Sequence, residues 1–285
     1  KGIKAFEKAI NKEPGVAKNY YYSSRYYLAQ KKYKQANKQF LKSVSLKPEK
    51  DRYYFWLGLS YGGLKKNQSE MQSYKKAIEL NRKNVAAHIY LGHNFFRARK
   101  YKLSLASYDN ALSLQSKNPA ALYNRALLLN KLKRTSESKL AFKQYLKVYR
   151  SSPKAITAAT YLNQMGNFEY RVHLLGRQKL VFEKIAFEQP GFKLKKESLQ
   201  SLRRVGRIVK KNPELKLHIL SYQKNNKALA REKARKVKVY LMTQFPDIGI
   251  NRIKLSWFNV PEKIKTEKKK YFLDDAITLL GVFKK

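Results

Sequence analysis

The sequence predicts an α-solenoid of helical hairpins over residues 1–178 and a small α+β domain with a mixed sheet over residues 179–285. Three observations carry this expectation. Aromatic and small residues recur with a spacing of 34 through the first 150 residues, and Pro falls at matching points of the period. After about Gly176 that spacing gives way to alternating strand-like and helix-like segments.

One ladder of the repeat reads Phe6, Phe40, Tyr74, Tyr108 and Phe142, followed three residues later by Ala9, Ser43, Ala77, Ala111 and then the larger Tyr145. A bulky and a small residue three apart share a helix face and let a second helix approach closely. A second ladder reads Tyr27, Tyr61, Phe95 and Leu129, preceded by Ser23-Ser24, Leu57-Gly58, Leu91-Gly92 and Arg125-Ala126. Pro14 and Pro48 stand where a helix must stop, and Pro119 and Pro153 stand where one opens. One partial unit ends at Pro14, four units fill residues 15–150, and 151–178 is expected as a further helix capping the stack.

These residues resemble the tetratricopeptide repeat family. The resemblance implies a right-handed superhelix whose concave face binds a peptide or a protein surface. On that geometry the first helices present Lys18, Tyr21, Arg25, Arg52, Phe55, His93, Arg97, Tyr123, Asn130 and Lys131 to the groove. Such a basic and aromatic face suits an acidic peptide or protein segment, because Arg and Tyr are frequent anchors of interfaces.

In the second domain, residues 181–187 alternate as a strand and 195–211 form an amphipathic helix with Leu199, Leu202, Val205 and Ile208 on one face, ended by Asn212-Pro213. Residues 215–220 read as a strand, 228–245 as a second helix, and 252–258 and 276–283 as two more strands. The order is similar to the OmpA-like, peptidoglycan-associated family, and the stretch from Asn226 through Leu229, Ala234 and Val237 matches that family's helix motif. The resemblance implies a periplasmic location near the cell wall. In the family an Asp and an Arg hold the ammonium and carboxylate of a diaminopimelate side chain, and here those places fall on Lys224 and Lys233. A Lys accepts no hydrogen bond from an ammonium and lacks the planar fork that grips a carboxylate twice. Where the family has Asn-Arg-Arg-Val, this chain has Asp274-Asp275-Ala276-Ile277, with the two Asp expected to point to opposite sides and to lack a partner. Two expectations stand for the domain: a wall-binding module working through positive charge, or a surface for protein contact only.

Composition supports a folded, strongly basic chain. Of 285 residues, 63 are Lys or Arg and 19 are Asp or Glu, a formal net charge of +44, with 43% hydrophobic and 13% aromatic residues. The excess is spread evenly: residues 1–150 hold 33 basic and 8 acidic side chains, and the remainder 30 and 11. A polyanionic or acidic partner is the natural complement. There is no Cys, so disulfides and thiolate metal sites are excluded. The chain starts at Lys1 without Met, within a helical pattern, and an upstream segment is expected.

No catalytic, metal or cofactor site is expected. His88 and His93 lie five apart, off a common helix face, and neither they nor His173 and His218 fall in a metal-binding pattern. Gly62-Gly63 sits at a helix end and makes no phosphate loop. The clusters Arg97-Ala98-Arg99-Lys100, Arg203-Arg204, Lys210-Lys211 and Lys268-Lys269-Lys270 offer phosphate contacts without a base-reading module. The functional expectation is a non-catalytic periplasmic scaffold, with outer-membrane association as an option. It would bind other envelope proteins with acidic surfaces through its repeats and dock a secretion, gliding or flagellar machine at the peptidoglycan layer. The alternative is a basic scaffold on nucleic acid or an anionic membrane surface.

Overall fold

The computed structural model describes residues 2–189, 191–267 and 269–283; Lys268 of the triple-lysine cluster lies outside them. The chain divides into two compact units, Lys1–Arg134 and Thr135–Lys285.

The first unit is all helical: α1 (Gly2–Lys12), α2 (Ala17–Ala29), α3 (Tyr33–Leu46), α4 (Asp51–Gly63), α5 (Asn67–Leu80), α6 (Val85–Arg97), α7 (Tyr101–Leu114) and α8 (Pro119–Lys131). Helices α2, α4, α6 and α8 begin at residues 17, 51, 85 and 119, so the period seen in the sequence is the period of the backbone. Each of these helices ends in the same turn. The N–H of Lys32, Lys66, Lys100 and Arg134 donates to the carbonyl five residues back, at 2.9 to 3.0 Å. The residue before each, Lys31, Lys65, Arg99 or Lys133, takes a left-handed φ of 58°, 59°, 56° or 58°. That conformation costs a residue with a Cβ about 1–2 kcal/mol. A cation at the negative end of a helix returns part of it.

The hairpins close on the predicted aromatic ladder. Phe40 and Tyr74 have no exposed surface and Tyr108 only 2%. Gly58 and Gly92 are the seats for two of these rings: a Cβ on Gly58 would stand 2.5 Å from the Tyr74 ring, and one on Gly92 would stand 2.7 Å from that of Tyr108. Burial drives the Tyr74 hydroxyl well above the ordinary phenol range, with Glu70 adding to the effect, and pushes that of Tyr108 up to about 12.

The second unit begins with α9 (Thr135–Tyr149) and α10 (Ala155–Gln164) and continues as β1 (Tyr170–Leu175), β2 (Gln178–Glu183), α11 (Lys196–Lys211), β3 (Leu215–Gln223), α12 (Lys227–Gln244), β4 (Ile253–Phe258), β5 (Glu262–Lys265), β6 (Lys270–Leu273) and β7 (Asp275–Phe283). The main sheet has the order β2-β1-β7-β3-β4. Strands β1 and β2 form an antiparallel hairpin, β1 runs parallel to β7, β7 antiparallel to β3, and β3 parallel to β4. Alternation along β3 and β7 sends Leu217, Ile219, Ile277 and Leu279 into a core with Leu202, Val205 and Val209 of α11 and Ala234, Val237 and Leu241 of α12. Residues of opposite parity face the other side. There Glu262 of the β5–β6 hairpin is held by a two-pronged Arg171 pair at 2.7 and 2.6 Å and by the Thr278 hydroxyl at 2.6 Å.

Several expectations are corrected. Residues 151–178 are not one capping helix: α10 stops at Gln164, Gly166 takes a φ of +79°, and β1 follows. The strand expected over 181–187 is β2, which ends at Glu183; Phe187 makes only an isolated bridge to Leu194. The β5–β6 hairpin was not expected at all, because four-residue strands leave too short an alternation to read. The compact units part at 134/135, whereas the sequence suggests 178/179. The difference lies in α9, α10 and β1, and in the second unit α10 packs on β1 and β2.

Two outcomes follow from this packing. Gly58→Ala should lower stability by about 1–3 kcal/mol, since a methyl group must displace a buried ring, while Gly15→Ala, with open space around it, should not; paired thermal melts by circular dichroism decide it. His173 is buried, and desolvation, helped by Arg171, pulls its pKa down to about 3. It folds neutral, so the unfolded chain takes up a proton first as pH falls below about 6.5, and the stabilisation present above that pH is progressively lost toward about 3. Urea unfolding of a Trp56→Phe variant, followed through Trp257, should show a His173-dependent loss of roughly 2 kcal/mol at pH 5 relative to pH 7, absent after His173→Gln.

Candidate functional site: the repeat groove and the lysine pair

Helices α4, α5 and α6 enclose a cavity of about 530 Å³. Leu59 and Gly62 come from α4, Glu70 and Tyr74 from α5, and Tyr90, His93 and Arg97 from α6. A neighbouring cavity of about 230 Å³ shares His93 and Arg97 and adds Phe96, Tyr108, Asn124 and Leu127. The floor of the 530 Å³ cavity is polar and organised. Glu70, 3% exposed, accepts from Arg97 at 2.5 Å, from Asn94 Nδ2 at 3.1 Å and from the Tyr74 hydroxyl at 3.3 Å. A buried carboxylate is tolerated only with partners of this kind. Arg97 keeps about half its side chain exposed, so it is oriented from below and open above. Tyr90 is 37% exposed and sits edge-on to Phe55 and His93, with ring centroids 5.4 and 5.3 Å away.

Of the ten residues expected in the groove, His93 and Arg97 line both cavities and Phe55 backs Tyr90. Arg25 is exposed and lies over the Trp56 ring, 4.6 Å from its centroid; Arg52 and Lys18 are exposed nearby. Lys131 is exposed over Tyr101, and Asn130 is half-buried. Tyr21 and Tyr123 are corrected: they retain 3% and 7% exposure and belong to the packing. Tyr21 stacks on Tyr53 at 4.8 Å, and burial raises its pKa despite Arg25 and Arg52. Tyr90, Leu59 and Glu70 were missed. Tyr90 sits one residue past Ile89, which stands 34 after Phe55, and Glu70 lies on a second helix, outside the set of first-helix positions expected in the groove.

In the second unit, Asn226 caps α12, its side-chain oxygen accepting from Leu229 N–H at 2.9 Å. Lys233 is 4% exposed and donates to Gln223 Oε1 and Asp275, both at 2.8 Å, beneath the Phe187 ring. Lys224, half exposed, lies 3.7 Å from Asp274. The expectation that Asp274 and Asp275 lack partners is therefore wrong: each faces one of the two lysines, because β7 runs beside β3 and Gln223 pairs with Asp275 in register. Among the described residues no group of three or more His, Cys, Asp or Glu is placed to hold a metal ion. His88 meets the Arg82 carbonyl at 3.0 Å, His218 meets the Ser256 hydroxyl at 2.8 Å, and His93 meets Asn124 at 2.9 Å. No helix among the described residues is long and apolar enough to cross a membrane.

Residues 51–84 and 90–156 match tetratricopeptide repeat profiles. No curated protein matches the sequence. Among solved structures, YrrB, described as a tetratricopeptide-repeat protein with an unusual peptide-binding site, is similar at 15% identity and a TM-score of 0.50, over 82% of this chain and 99% of its own. MamA is similar at 19% identity and a TM-score of 0.49, over 51% and 85%, and the tetratricopeptide-repeat domain of Arabidopsis OM64 at 21% and 0.40, over 40% and 95%. Residues 51–84 and 90–156 are thus tetratricopeptide repeats, a repeat of protein-interaction scaffolds.

Proposed function

We propose that this protein is a non-catalytic scaffold of the bacterial cell envelope, working in the periplasm. In this reading its repeats hold an acidic segment of a partner protein, and its C-terminal domain docks the assembly, of secretion, gliding or flagellar type, at the peptidoglycan layer. The observation that carries the binding half is the paired cavity around His93 and Arg97, where exposed aromatic and cationic groups stand over a fixed polar floor. Burying an aromatic anchor beside a pre-oriented guanidinium is how small surfaces gain affinity. The envelope half is supported by the run of elements from β2 through α11, β3, α12 and β4 to β7, which parallels the OmpA-like order. The pairing of Lys233 with Asp275 argues against zwitterion capture, since the lysine is buried and already paired. In this reading the domain meets wall carboxylates through its field of positive charge.

Peptides selected by phage display against the full chain should be rich in Asp or Glu beside an apolar residue. Tyr90→Ala should weaken them by roughly 2 kcal/mol, on the order of thirtyfold in Kd; equal binding to the variant would remove the groove from the mechanism. Full-length protein should co-sediment with peptidoglycan sacculi at low ionic strength and be released near 1 M salt, where screening acts within about 3 Å, with Lys224→Ala behaving like the parent. Absence of binding at low salt would sink the wall contact, and salt-resistant binding lost in Lys224→Ala would restore a specific pocket.

A further inference from the structure

The main sheet of the second unit is covered unevenly. Helices α11 and α12 pack on one face. On the other, the β5–β6 hairpin is latched through Glu262 to Arg171 and Thr278, at one end of the strands, and α10 packs on β1 and β2. Beyond that end the face stays open. The next outward residue of β7, Leu280, pairs across β3 with His218 and, on its other side, with Leu174 of β1; one step further, Val282 pairs with Lys216. His218 in turn sits beside Lys254 of β4.

The open half is therefore amphipathic across the strands. Leu174 and Val282 are 43% and 50% exposed, and Ile250, at the turn into β4, is 60% exposed. Beside them Lys216 and Lys254 are exposed and form no ion pair among the described residues. The concavity there, about 550 Å³, is lined by four cationic side chains and His218 without one acidic residue. Arg252 and Lys238 fix its rim by donating to backbone carbonyls, Arg252 to Val209, Asn212 and Leu215, and Lys238 to Ile253. The nearby Asp247 is paired with Lys210 at 2.6 Å.

Exposed aliphatic side chains close to unpaired lysines fit a particular chemistry. Stacking on nucleic-acid bases needs aromatic faces, and the outward aromatics of this sheet, Tyr222 and Phe258, are stacked on each other at 4.8 Å. Apolar area and positive charge act together on an interface that is anionic at its surface and hydrocarbon beneath. We propose that the open half of this sheet face docks on an anionic phospholipid surface, with Leu174, Val282 and Ile250 meeting the acyl boundary and Lys216 and Lys254 meeting headgroup phosphates. The proposal rests on the second unit's own geometry and is independent of the groove and of the wall contact.

With a net charge of +44 some attraction to any anionic vesicle is expected, so the test is positional. The chain has no Cys, and Val282→Cys and Gln68→Cys each give a single site for an environment-sensitive fluorophore on the full chain. On phosphatidylcholine vesicles containing phosphatidylglycerol, the Val282 probe should brighten and shift to the blue while the Gln68 probe stays unchanged, and neither should respond to phosphatidylcholine alone. Lys216→Glu with Lys254→Glu should weaken vesicle binding at least about tenfold, whereas Lys34→Glu with Lys38→Glu, the same change in charge elsewhere, should weaken it far less. Equal responses from the two probes, equal weakening by the two pairs, no binding to the anionic vesicles, or an equal response of the Val282 probe to duplex DNA would each overturn the proposal.

Discussion

The first unit depends on one contact made repeatedly: a ring on the second helix of a hairpin resting on a residue with little or no side chain on the first. At Gly58 and Gly92 the clearance is below that of a methyl group, so helix crossing distance, ring burial and the absence of a Cβ are one constraint. With the hairpins closed at that distance, α5 and α6 pack closely enough for Glu70 of α5 to reach Asn94 and Arg97 of α6. The cavity is a consequence of that spacing. Its polar floor forms because packing has taken the carboxylate out of water, where it is stable only with donors around it.

How much of this was legible follows from which physical signal each feature leaves. The repeat period of the first unit is legible in the sequence, since burial on a 34-residue spacing writes Phe40, Tyr74 and Tyr108 in register. The direction of individual groove side chains was less so. Tyr21 and Tyr123 are aromatic and near the right helix face, but a neighbouring helix claims them, and only packing reveals that. In the second unit α11 and α12 carry regular apolar faces and were read correctly, as were the strands now called β3, β4 and β7. Strand β1 was lost because its pattern follows directly on a helix, and the β5–β6 hairpin because its strands are four residues long.

The lysine pair shows the same limit from the other side. Sequence position alone put Lys224 and Lys233 where the resembled family binds a ligand, and it put Asp274 and Asp275 at a strand start with nothing to meet. The antiparallel register of β3 and β7 joins the two halves, so the groups that looked like a basic site and a stray acidic pair are a pair of internal contacts. A buried ion pair is weak grounds for stability but strong grounds against availability, because pulling Asp275 away would leave Lys233 charged and desolvated.

Charge can then be sorted by what it is free to do. Arg97 is committed to Glu70, Arg171 to Glu262, Arg252 to carbonyls, and Lys233 to Asp275; these fix geometry. With 63 basic and 19 acidic residues, most lysines have no acidic group to pair with and supply only a long-range field, which raises encounter rates and falls with salt but distinguishes no partner. Selectivity has to come from places where positive charge, fixed or free, borders exposed apolar surface. The groove around Tyr90 and the open sheet face beside Val282 are two such places, and they differ in shape. The first is a concavity with a fixed polar floor, suited to a side chain; the second is a concavity bordered by exposed strand residues, suited to a surface.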